Sequence, residues 1–571
     1  MDTSFTSKRG EEGMALVLAL IVLVSMALTL GFLADRTRTQ MAQTESYIEF
    51  QDTLLGAEAG YATALAELNG ASGDEDLDKD GLVGLDPDYD LSGDKPTFET
   101  DGVKPWTMAS MPGIDYFAFS YDWSVDGLDN NGDGTKDEVA EEDYYTIYAY
   151  ARGGNSIRRI EAIVEGGNVN VWNNAVFAGS GQAGALINGN VSIHGSVHLL
   201  GDNLGNGDLA VAAIDLTGTS MIHNNYVGLA AGLAGMVPAL KTVTHAGESV
   251  QSLDAKLRVK NGLVGLSGNS EVGEANVTGN AVKETMDGVY VSDGYTGNAL
   301  NADGTPKQMY SDNGVLNGYD LGDAVPFPTF ANDVGGDHLG NYLTNDAANV
   351  GLHFVKTGNV AITLNQNYYW NATTGTESVN QSLGAGTMPT SASLNANHYY
   401  IWFDAATNRL RVNGRVPIDG NLTINPGTGA DKTLNYTGKA TILAYDADSS
   451  GNGGDVTVEA SMLTMNANGT TTNSFPQNNL LGLMAQDDMM LGISSQLNIM
   501  GGFYSQDQIS LNKQSTIMGT IVGNIFNMGG QVPDIYQVPA LQDAWTTNMK
   551  MIGATPVEFL SPLSWRELGV V

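Results

Sequence analysis

A membrane-length apolar run near the N-terminus constrains this chain more than any other feature. Residues 14–34 carry no charged side chain and no Pro, and Leu, Val, Ala, Ile and Met dominate the run. About 20 apolar residues are enough to cross a bilayer as a helix. A polar pattern with helical spacing continues to residue 68. The sequence therefore predicts one rod, residues 14–68, whose first part spans a membrane and whose second part is amphipathic.

The segment before the apolar run has the composition of a removable leader. Lys8 and Arg9 favour a cytoplasmic position for this end, since basic residues accumulate on the cytoplasmic side of membrane helices. A secretory signal peptide would end in a small-residue cleavage site after the apolar run, but charged residues follow the run here. Cleavage is therefore expected after Gly13, which makes residues 1–13 the leader and Met14 the mature N-terminus.

These N-terminal residues resemble those of type IV pilins, and most closely the minor pilins of the PilX type. The resemblance rests on the basic leader ending in Gly13, the start Met14-Ala15-Leu16-Val17 and the helical segment Ala57-Glu58-Ala59-Gly60. In that family a prepilin peptidase cuts after the glycine and methylates the new N-terminus. The resemblance implies a protein that lies in the inner membrane before assembly and then in an extracellular filament or at the cell surface. Its implied partners are other pilins and minor pilins.

Leu18 departs from the pattern of the major pilins. Those pilins carry Glu at the fifth mature position, where its carboxylate neutralises the N-terminal ammonium of a neighbouring subunit. Minor pilins of the PilX type and tip-forming pseudopilins also tend to lack this Glu, so the resemblance implies a minor pilin or pseudopilin. An ordinary N-terminal membrane anchor is the alternative.

The charge balance limits the partners of this chain. The 26 Lys and Arg against 64 Asp and Glu give a net charge of −38, which repels nucleic acid and anionic lipid. The absence of Cys excludes disulfides and thiol chemistry. After residue 68, short Val, Ile and Leu runs alternate with Asn-Gly and Gly-Asn turns. The predicted fold is therefore mostly β with one long N-terminal α-helix.

Residues 69–166 are expected to form a pilin-like head, in which the helix packs on a small antiparallel sheet. Residues 114–123 have the pattern of a strand. Residues 144–150 and 157–164 predict a hairpin around the Gly-rich turn at 153–155.

The head also contains two acidic loops with the spacing of calcium ligands. Residues 74–143 hold 21 Asp and Glu against 4 Lys and no Arg, so a bound cation would relieve their repulsion. In both loops, oxygen-bearing side chains recur at alternate positions next to a Gly, as in calcium loops with a sharp turn. The predicted metal-ligating residues are Asp76, Asp78, Asp80, Asp129, Asn131, Asp133 and Asp137.

Neither loop is an EF-hand proper. Pro87 stands where the first loop would need its closing Glu, and the second loop resembles the Asp-rich repeats of thrombospondin type 3. Calcium is the expected cofactor, and a pair of solvated acidic turns is the alternative. Residues 446–451 are a weaker third candidate.

An internal repeat characterises the larger part of the chain. The segment 482–491 recurs as 502–511, and one copy of about 20 residues is too short to bury its apolar face alone. We therefore predict a right-handed parallel β-helix over residues 167–545, with irregular insertions near 287–393. Residues 546–571 would be a C-terminal tail or cap. A β-sandwich is the structural alternative.

Catalytic residues cannot be named at a useful spacing. His194 and His198 share a strand face and are expected to face solvent, and no third metal ligand accompanies them. Asp487, Asp488 and Asp507 form an acidic cluster, but a separation of one repeat is typical of a solvent-facing ladder. The chain is therefore predicted not to be an enzyme.

The sequence thus favours a minor pilin or pseudopilin that displays a large β-helix at or near a filament tip. Its role would be assembly priming or surface adhesion, with a pilus-tip adhesin or a surface glycan as a further partner and no nucleic acid. The alternative is a membrane-anchored β-helix enzyme or carbohydrate-binding module that acts on surface polysaccharide.

Overall fold

The computed structural model divides the chain into two units. Unit 1 contains Met1–Asn168 and Glu558–Val571, and unit 2 contains Val169–Val557. The structure describes residues 9–68, 113–123, 144–182, 187–201, 212–272, 288–291, 326–331, 338–344 and 352–568, with gaps at 154–155, 190, 246–247, 254–255, 260–262, 267–270, 385–387, 428–432, 450, 493–495, 512, 529–532 and 555–556.

Strands make up most of the described residues. The α-helices are α1 (Arg9–Leu68), α2 (Ala231–Ala234) and α3 (His338–Leu343), and short 3-10 turns lie at Ser391–Ser393 and Pro539–Leu541. The strands are, in chain order, β1 (Ile114–Asp122), β2 (Tyr144–Gly153), β3 (Ser156–Val169), β4 (Val176–Gln182), β5 (Ile187–Gly189), β6 (Ser192–His194), β7 (Val197–Leu199), β8 (Ala212–Gly218), β9 (Met221–His223), β10 (Lys241–His245), β11 (Glu248–Ser252), β12 (Lys256–Val259), β13 (Leu263–Leu266), β14 (Glu271–Val272), β15 (Gly288–Val291), β16 (Lys356–Thr357), β17 (Val360–Thr363), β18 (Tyr368–Asn371), β19 (Thr376–Val379), β20 (Tyr400–Asp404), β21 (Arg409–Asp419), β22 (Leu422–Asn425), β23 (Thr433–Thr437), β24 (Lys439–Tyr445), β25 (Val456–Val458), β26 (Ser461–Thr464), β27 (Leu480–Ala485), β28 (Met489–Leu491), β29 (Asn498–Leu511), β30 (Thr516–Asn527), β31 (Asp534–Tyr536) and β32 (Val557–Leu568). The prediction of a mostly β chain with one long N-terminal helix is confirmed.

Unit 1 consists of α1 and a four-stranded sheet in the order β1-β2-β3-β32. The first three strands pair antiparallel, with Ile114 opposite Gly153 and Gly153 opposite Ser156. These strands cover the three segments for which the sequence predicts strands, and they extend β2 and β3 by a few residues.

Small residues let the second half of α1 lie close to this sheet. Ala57 and Ala64 are fully buried, and a Cβ atom at Gly60 would lie only 2.9 Å from ring carbon Cδ2 of Tyr116. Alternate strand residues face the helix, as a strand's period of two requires. The sheet side of this core consists of Ile114, Tyr116, Ala118, Ile147, Ala149, Ala151, Ile160 and Val164.

The last described strand returns to the sheet of unit 1. β32 lies next to β3, and Arg566 Nε donates a 2.6 Å hydrogen bond to Glu161 Oε1. Arg158 Nε lies 3.3 Å from Glu567 Oε1, and its guanidinium covers the Phe50 ring at 3.7 Å. Residues 557–568, within the segment expected to be a C-terminal tail or cap, therefore form a sheet strand, and unit 2 is inserted between two strands of unit 1 in the sequence.

Unit 2 is built from parallel ladders. One ladder pairs β16, β21, β24, β27, β29 and β30 in succession, and shorter ladders run through β22, β25 and β28 and through β23 and β26. Because β21 and β29 each belong to more than one ladder, hydrogen bonds close a ring of six parallel strands, β21, β24, β27, β29, β26 and β23. Additional strands extend the ladders on both sides of this ring, and the interior holds the large apolar core of the unit.

The 20-residue repeat read from the sequence is confirmed by strand pairing. Gly482 lies opposite Gly502, and Met489 lies opposite Ile509, so both copies stack in register. The next copy stacks with Thr520 opposite Gly502, and Gly519 therefore belongs opposite Gly501.

The ladders do not follow the order of the chain. β4, β7, β12 and β15 pair in succession from residue 176 to 291, and β4 also pairs with β30, near the end of the unit. In the order of pairing, the chain thus enters unit 2 at β4, in the middle of the ladder, and proceeds to β15 at one end. It resumes with β16 at the opposite end of the ladder and returns to β30, next to β4.

The insertion expected near residues 287–393 is present in part as an antiparallel meander. β18 pairs antiparallel with β19 and β20, and β20 pairs antiparallel with β21. A separate apolar cluster forms there from Tyr369, Met388, Tyr400 and Trp402.

Packing of α1 on the sheet predicts that only one of two glycine substitutions in this helix destabilises unit 1. Gly60→Leu should destabilise unit 1 by about 1–3 kcal/mol, because the added side chain collides with Tyr116. Gly31→Leu is the control, since nothing lies within 4 Å of a Cβ at Gly31. Hydrogen exchange of the β2 amides in the detergent-solubilised protein measures the difference. Equal exchange in both variants would contradict the packing.

Candidate functional site

The first part of α1 is an uncovered apolar surface. Among the described residues, α1 is the helix that is long and apolar enough to cross a membrane, and its most apolar window has a mean hydropathy of 2.8 and is not buried. Leu16, Leu28 and Phe32 are 74, 71 and 68% exposed. Exposed apolar side chains over this length need lipid or other apolar helices around them.

Hydroxyl groups in this part of the helix are satisfied by the helix itself. Thr29 Oγ1 donates to Ser25 O at 2.7 Å, and Thr37 Oγ1 donates to Leu33 O at 2.8 Å. Threonine commonly bonds back to the carbonyl of the preceding turn. Thr29 lies inside the apolar run, and its bond leaves the hydroxyl group partnered, as a membrane environment would require.

The processing residues predicted from the sequence lie inside this helix. α1 begins at Arg9, so Gly13 and Met14 have helical backbone, and the side chain of Met14 is exposed. The side chain of Leu18 is also exposed. Cleavage after Gly13 remains a prediction.

A second exposed stripe follows the membrane-length part of α1. Met41, Tyr47 and Ile48 are exposed, and a shallow groove beside Met41 and Ile48 is lined by Thr37, Gln40, Thr44 and Glu45. The sheet of unit 1 packs on the helix only beyond this stripe, where buried residues begin at Thr53. The stripe is therefore a surface that a neighbouring helix could cover.

The predicted calcium ligands cannot be compared with the structure. Asp76, Asp78, Asp80, Asp129, Asn131, Asp133 and Asp137 lie outside the described residues. The weaker third candidate is a described turn in which Asp446 Oδ2 accepts a 2.7 Å hydrogen bond from Gly451 N. This carboxylate oxygen stabilises the turn.

Stacked polar side chains line one corner of unit 2. Four hydrogen bonds of 2.9–3.3 Å follow one pattern, in which a side-chain Oδ1 atom accepts from the backbone N of a residue in the neighbouring part of the ladder. The pairs are Asn359 with Asn421, Asn421 with Asp455, Asp455 with Asp488, and Asp488 with Gln508. Each side chain thus holds the backbone of the next coil at the same corner. Asp488, which the sequence places in an acidic cluster, thus also accepts a hydrogen bond from the backbone.

The acidic cluster itself is brought together by the stacked coils. One carboxylate oxygen from each of Asp487, Asp488 and Asp507 lies within 4.8 Å of the others. Partial burial and the neighbouring carboxylates raise the pKa of Asp487 and of Asp488. Asp487 and Asp507 are exposed, which agrees with the solvent-facing ladder expected from their spacing.

The two strand histidines are buried, and the expectation that they face solvent is wrong. His194 and His198 are 3 and 2% exposed. The His194 ring stacks on Tyr536 at 4.2 Å and on His223 at 4.7 Å, because the three residues occupy one position of successive coils. Polar residues at stacked positions of a coil can bury each other's faces, and a pattern within one strand does not reveal this.

The His194 ring makes the stability of unit 2 dependent on pH. Burial, together with the His223 ring, lowers the pKa of His194 from 6.5 to about 3, while Nδ1 lies 2.7 Å from Asn225 O. Because the folded pKa lies below the unfolded value, the stability is complete above pH 6.5 and is lost as pH falls toward 3. The loss at pH 5 should be about 2 kcal/mol.

His194→Phe should remove most of this loss between pH 7 and 5, since Phe keeps the stacking and does not titrate. His353→Phe, at an exposed position, is the control. Urea unfolding at both pH values measures the change. The same acid destabilisation in the wild-type chain and in His194→Phe would contradict this role.

Comparisons with known proteins give structural likeness but no sequence relative. No protein-family model matches the chain, and no curated protein matches it. The chain is similar to the crystal structure of the competence-associated pilin ComZ from Thermus thermophilus, with 18% identity, 91% of this chain and 97% of that chain covered, and a TM-score of 0.46. A likeness of this size assigns no function by itself.

Proposed function

We propose that this chain is a minor pilin or pseudopilin that carries unit 2 at or near the tip of a type IV pilus-like filament. The observation that carries the proposal is the division of α1 into an uncovered apolar part and a part packed on an antiparallel sheet. A membrane can cover the first part before assembly, and neighbouring helices can cover it in a filament. The protein then lies in the inner membrane first and in the filament or at the cell surface afterwards.

Other pilins and minor pilins are the proposed partners, and a prepilin peptidase is the proposed processing enzyme. The exposed stripe of Met41, Tyr47 and Ile48 offers apolar contact to a neighbouring helix. Leu18 offers no carboxylate to a neighbour's N-terminal ammonium, and an unpaired buried charge is costly. A sparse or terminal position in the filament avoids this cost.

Unit 2 is proposed to be a right-handed parallel β-helix with a display role in assembly priming or surface adhesion. The parallel ladders and the in-register 20-residue repeat support this architecture. We also propose that unit 2 is not an enzyme. Thr441, Gly482 and Gly502 support this view, because other segments of the same chain cover these positions and leave them buried.

The processing test follows from the position of Gly13. The mature protein should begin at Met14, and intact-mass analysis of the membrane fraction measures this. Gly13→Leu should leave residues 1–13 attached, because a bulky side chain blocks the approach of the peptidase to the backbone. Gly10→Leu, in the same leader, should be processed normally. A wild-type N-terminus at Met1 or after Ala34 would refute the proposal.

Calcium is the proposed cofactor of the acidic loops. Calcium should protect residues 69–143 of the detergent-solubilised protein from proteolysis, with a midpoint of roughly 10⁻⁴ to 10⁻³ M, the range of extracellular sites. The double variant Asp129→Asn and Asp133→Asn should lose this protection, because fewer charged ligands bind calcium more weakly. Asp446→Asn, at a turn outside these loops, should keep it. The same cleavage pattern in calcium and in chelator would show that the loops are solvated turns.

A further inference from the structure

Strands from two distant parts of the chain pair with each other inside unit 2. We infer that residues 169–291 and 352–537 are two separately coiled segments whose strands dock at one non-covalent seam, and that this seam is the point at which unit 2 opens first. The seam consists of β30 against β4 and β31 against β6. Away from the seam strands, Asn473 N donates to Gly235 O at 2.9 Å and Phe475 N donates to Met236 O at 3.0 Å.

The strands at the seam pair in a defined register, with one shift between Gly523 and Ile525. Ile521 lies opposite Val176, and Asp534 lies opposite Ser192. Gln537 N donates to His194 O at 2.8 Å. The seam is therefore a specific interface with a defined register.

Buried polar groups fix this register. The Gln537 side chain is 1% exposed, and its Oε1 accepts from Ser196 N at 2.8 Å while its Nε2 donates to Asn173 Oδ1 at 3.0 Å. Thr520 Oγ1 donates to Trp172 O at 3.0 Å. Each of these bonds joins one segment to the other, so a shifted register would leave buried polar groups without partners.

Chain connectivity makes the seam the weakest junction between neighbouring coils. Ser180 and Asn524 bond across the seam although they are 344 residues apart, whereas Asp488 and Gln508 bond within a segment 20 residues apart. The effective concentration of two bonding groups falls as about the −3/2 power of the number of residues between them. The groups at the seam therefore meet at an effective concentration at most about 70-fold lower than the groups within a segment. Pairing of equal quality therefore opens more readily at the seam.

A C-terminal strap, residues 538–554, fastens the seam from outside. The Trp545 ring lies against Gly482 and Gly502 of the second segment and meets Trp172 of the first segment edge-on at 4.9 Å. Trp172 Nε1 donates to Ile552 O at 2.9 Å. The strap thus touches coils on both sides of the seam.

Residues 326–331, which lie between the two segments in the sequence, form a second strap. Phe327 stacks on Phe177 of the first segment at 6.4 Å and on Tyr504 of the second at 6.0 Å. Tyr504 Oη donates to Pro328 O at 2.8 Å. Opening the seam therefore requires both straps to loosen, and it exposes the strand edges of β4, β6, β30 and β31 for new pairing.

Hydrogen exchange of the full-length protein in detergent tests the inference. The β4, β6, β30 and β31 amides should exchange through one common opening that precedes exchange of the β24 and β27 amides. Similar protection in the seam strands and in β24 and β27 would overturn the inference.

Engineered disulfides provide a matched test, because the chain has no Cys. Ser192→Cys with Asp534→Cys spans the seam, and Thr516→Cys with Asp534→Cys joins neighbouring coils of one segment. Neighbouring positions of a parallel ladder lie within the reach of a disulfide. The first pair should slow exchange of the seam amides at least 10-fold, and the second should leave it unchanged. An equal effect of both pairs would contradict a seam.

The strap gives a test that does not depend on disulfide geometry. Trp545→Ala should speed exchange of the seam amides, since it removes the contact between the strap and Trp172. Trp402→Ala truncates a buried Trp in the separate cluster and should not affect the seam. Unchanged seam exchange in Trp545→Ala, or the same acceleration in both variants, would count against the strap.

Discussion

The uncovered apolar surface of residues 14–34 is the constraint on which the rest of this chain depends. Burial of one large aliphatic side chain is worth about 1.5–3 kcal/mol, so a whole helix surface of this kind cannot remain in water. The second half of α1 meets the same requirement within the chain, where Ala57, Gly60 and Ala64 pack on the sheet of unit 1. The first half needs lipid or other subunits.

Unit 2 lies between β3 and β32 in the sequence, so the chain leaves the sheet of unit 1 after β3 and returns to it with β32. The sheet of unit 1 gains its edge strand β32 only after unit 2 has been synthesised. The ion pairs of Arg158 and Arg566 with Glu567 and Glu161 are partly exposed, and each contributes about 0–1 kcal/mol. Backbone pairing with β3 therefore contributes more to the stability of this edge than these ion pairs do.

Local patterns predicted the local structure well. The apolar run gave the helix, alternating residues gave β1 to β3, and the repeat at Gly482 and Gly502 gave the correct register of two coils. These features depend on neighbours within about 20 residues. Period and composition alone are enough to recognise them.

Features that depend on distant partners were missed. The sequence of β32 does not indicate that this strand pairs with β3. The seam likewise joins strands that are more than 300 residues apart. The polar corner ladder and the stack around His194 also arise only when coils are superposed. The seven predicted calcium ligands are in the part of the chain that the structure does not describe.

The location of unit 2 in native filaments tests the central claim most directly. Filaments purified from cells and labelled with gold-bound antibody against unit 2 can be examined by electron microscopy. The account predicts label at filament tips or at sparse positions along the shaft. Continuous label along the shaft, with this chain as the repeating subunit, would contradict it, as would label confined to membranes without filaments.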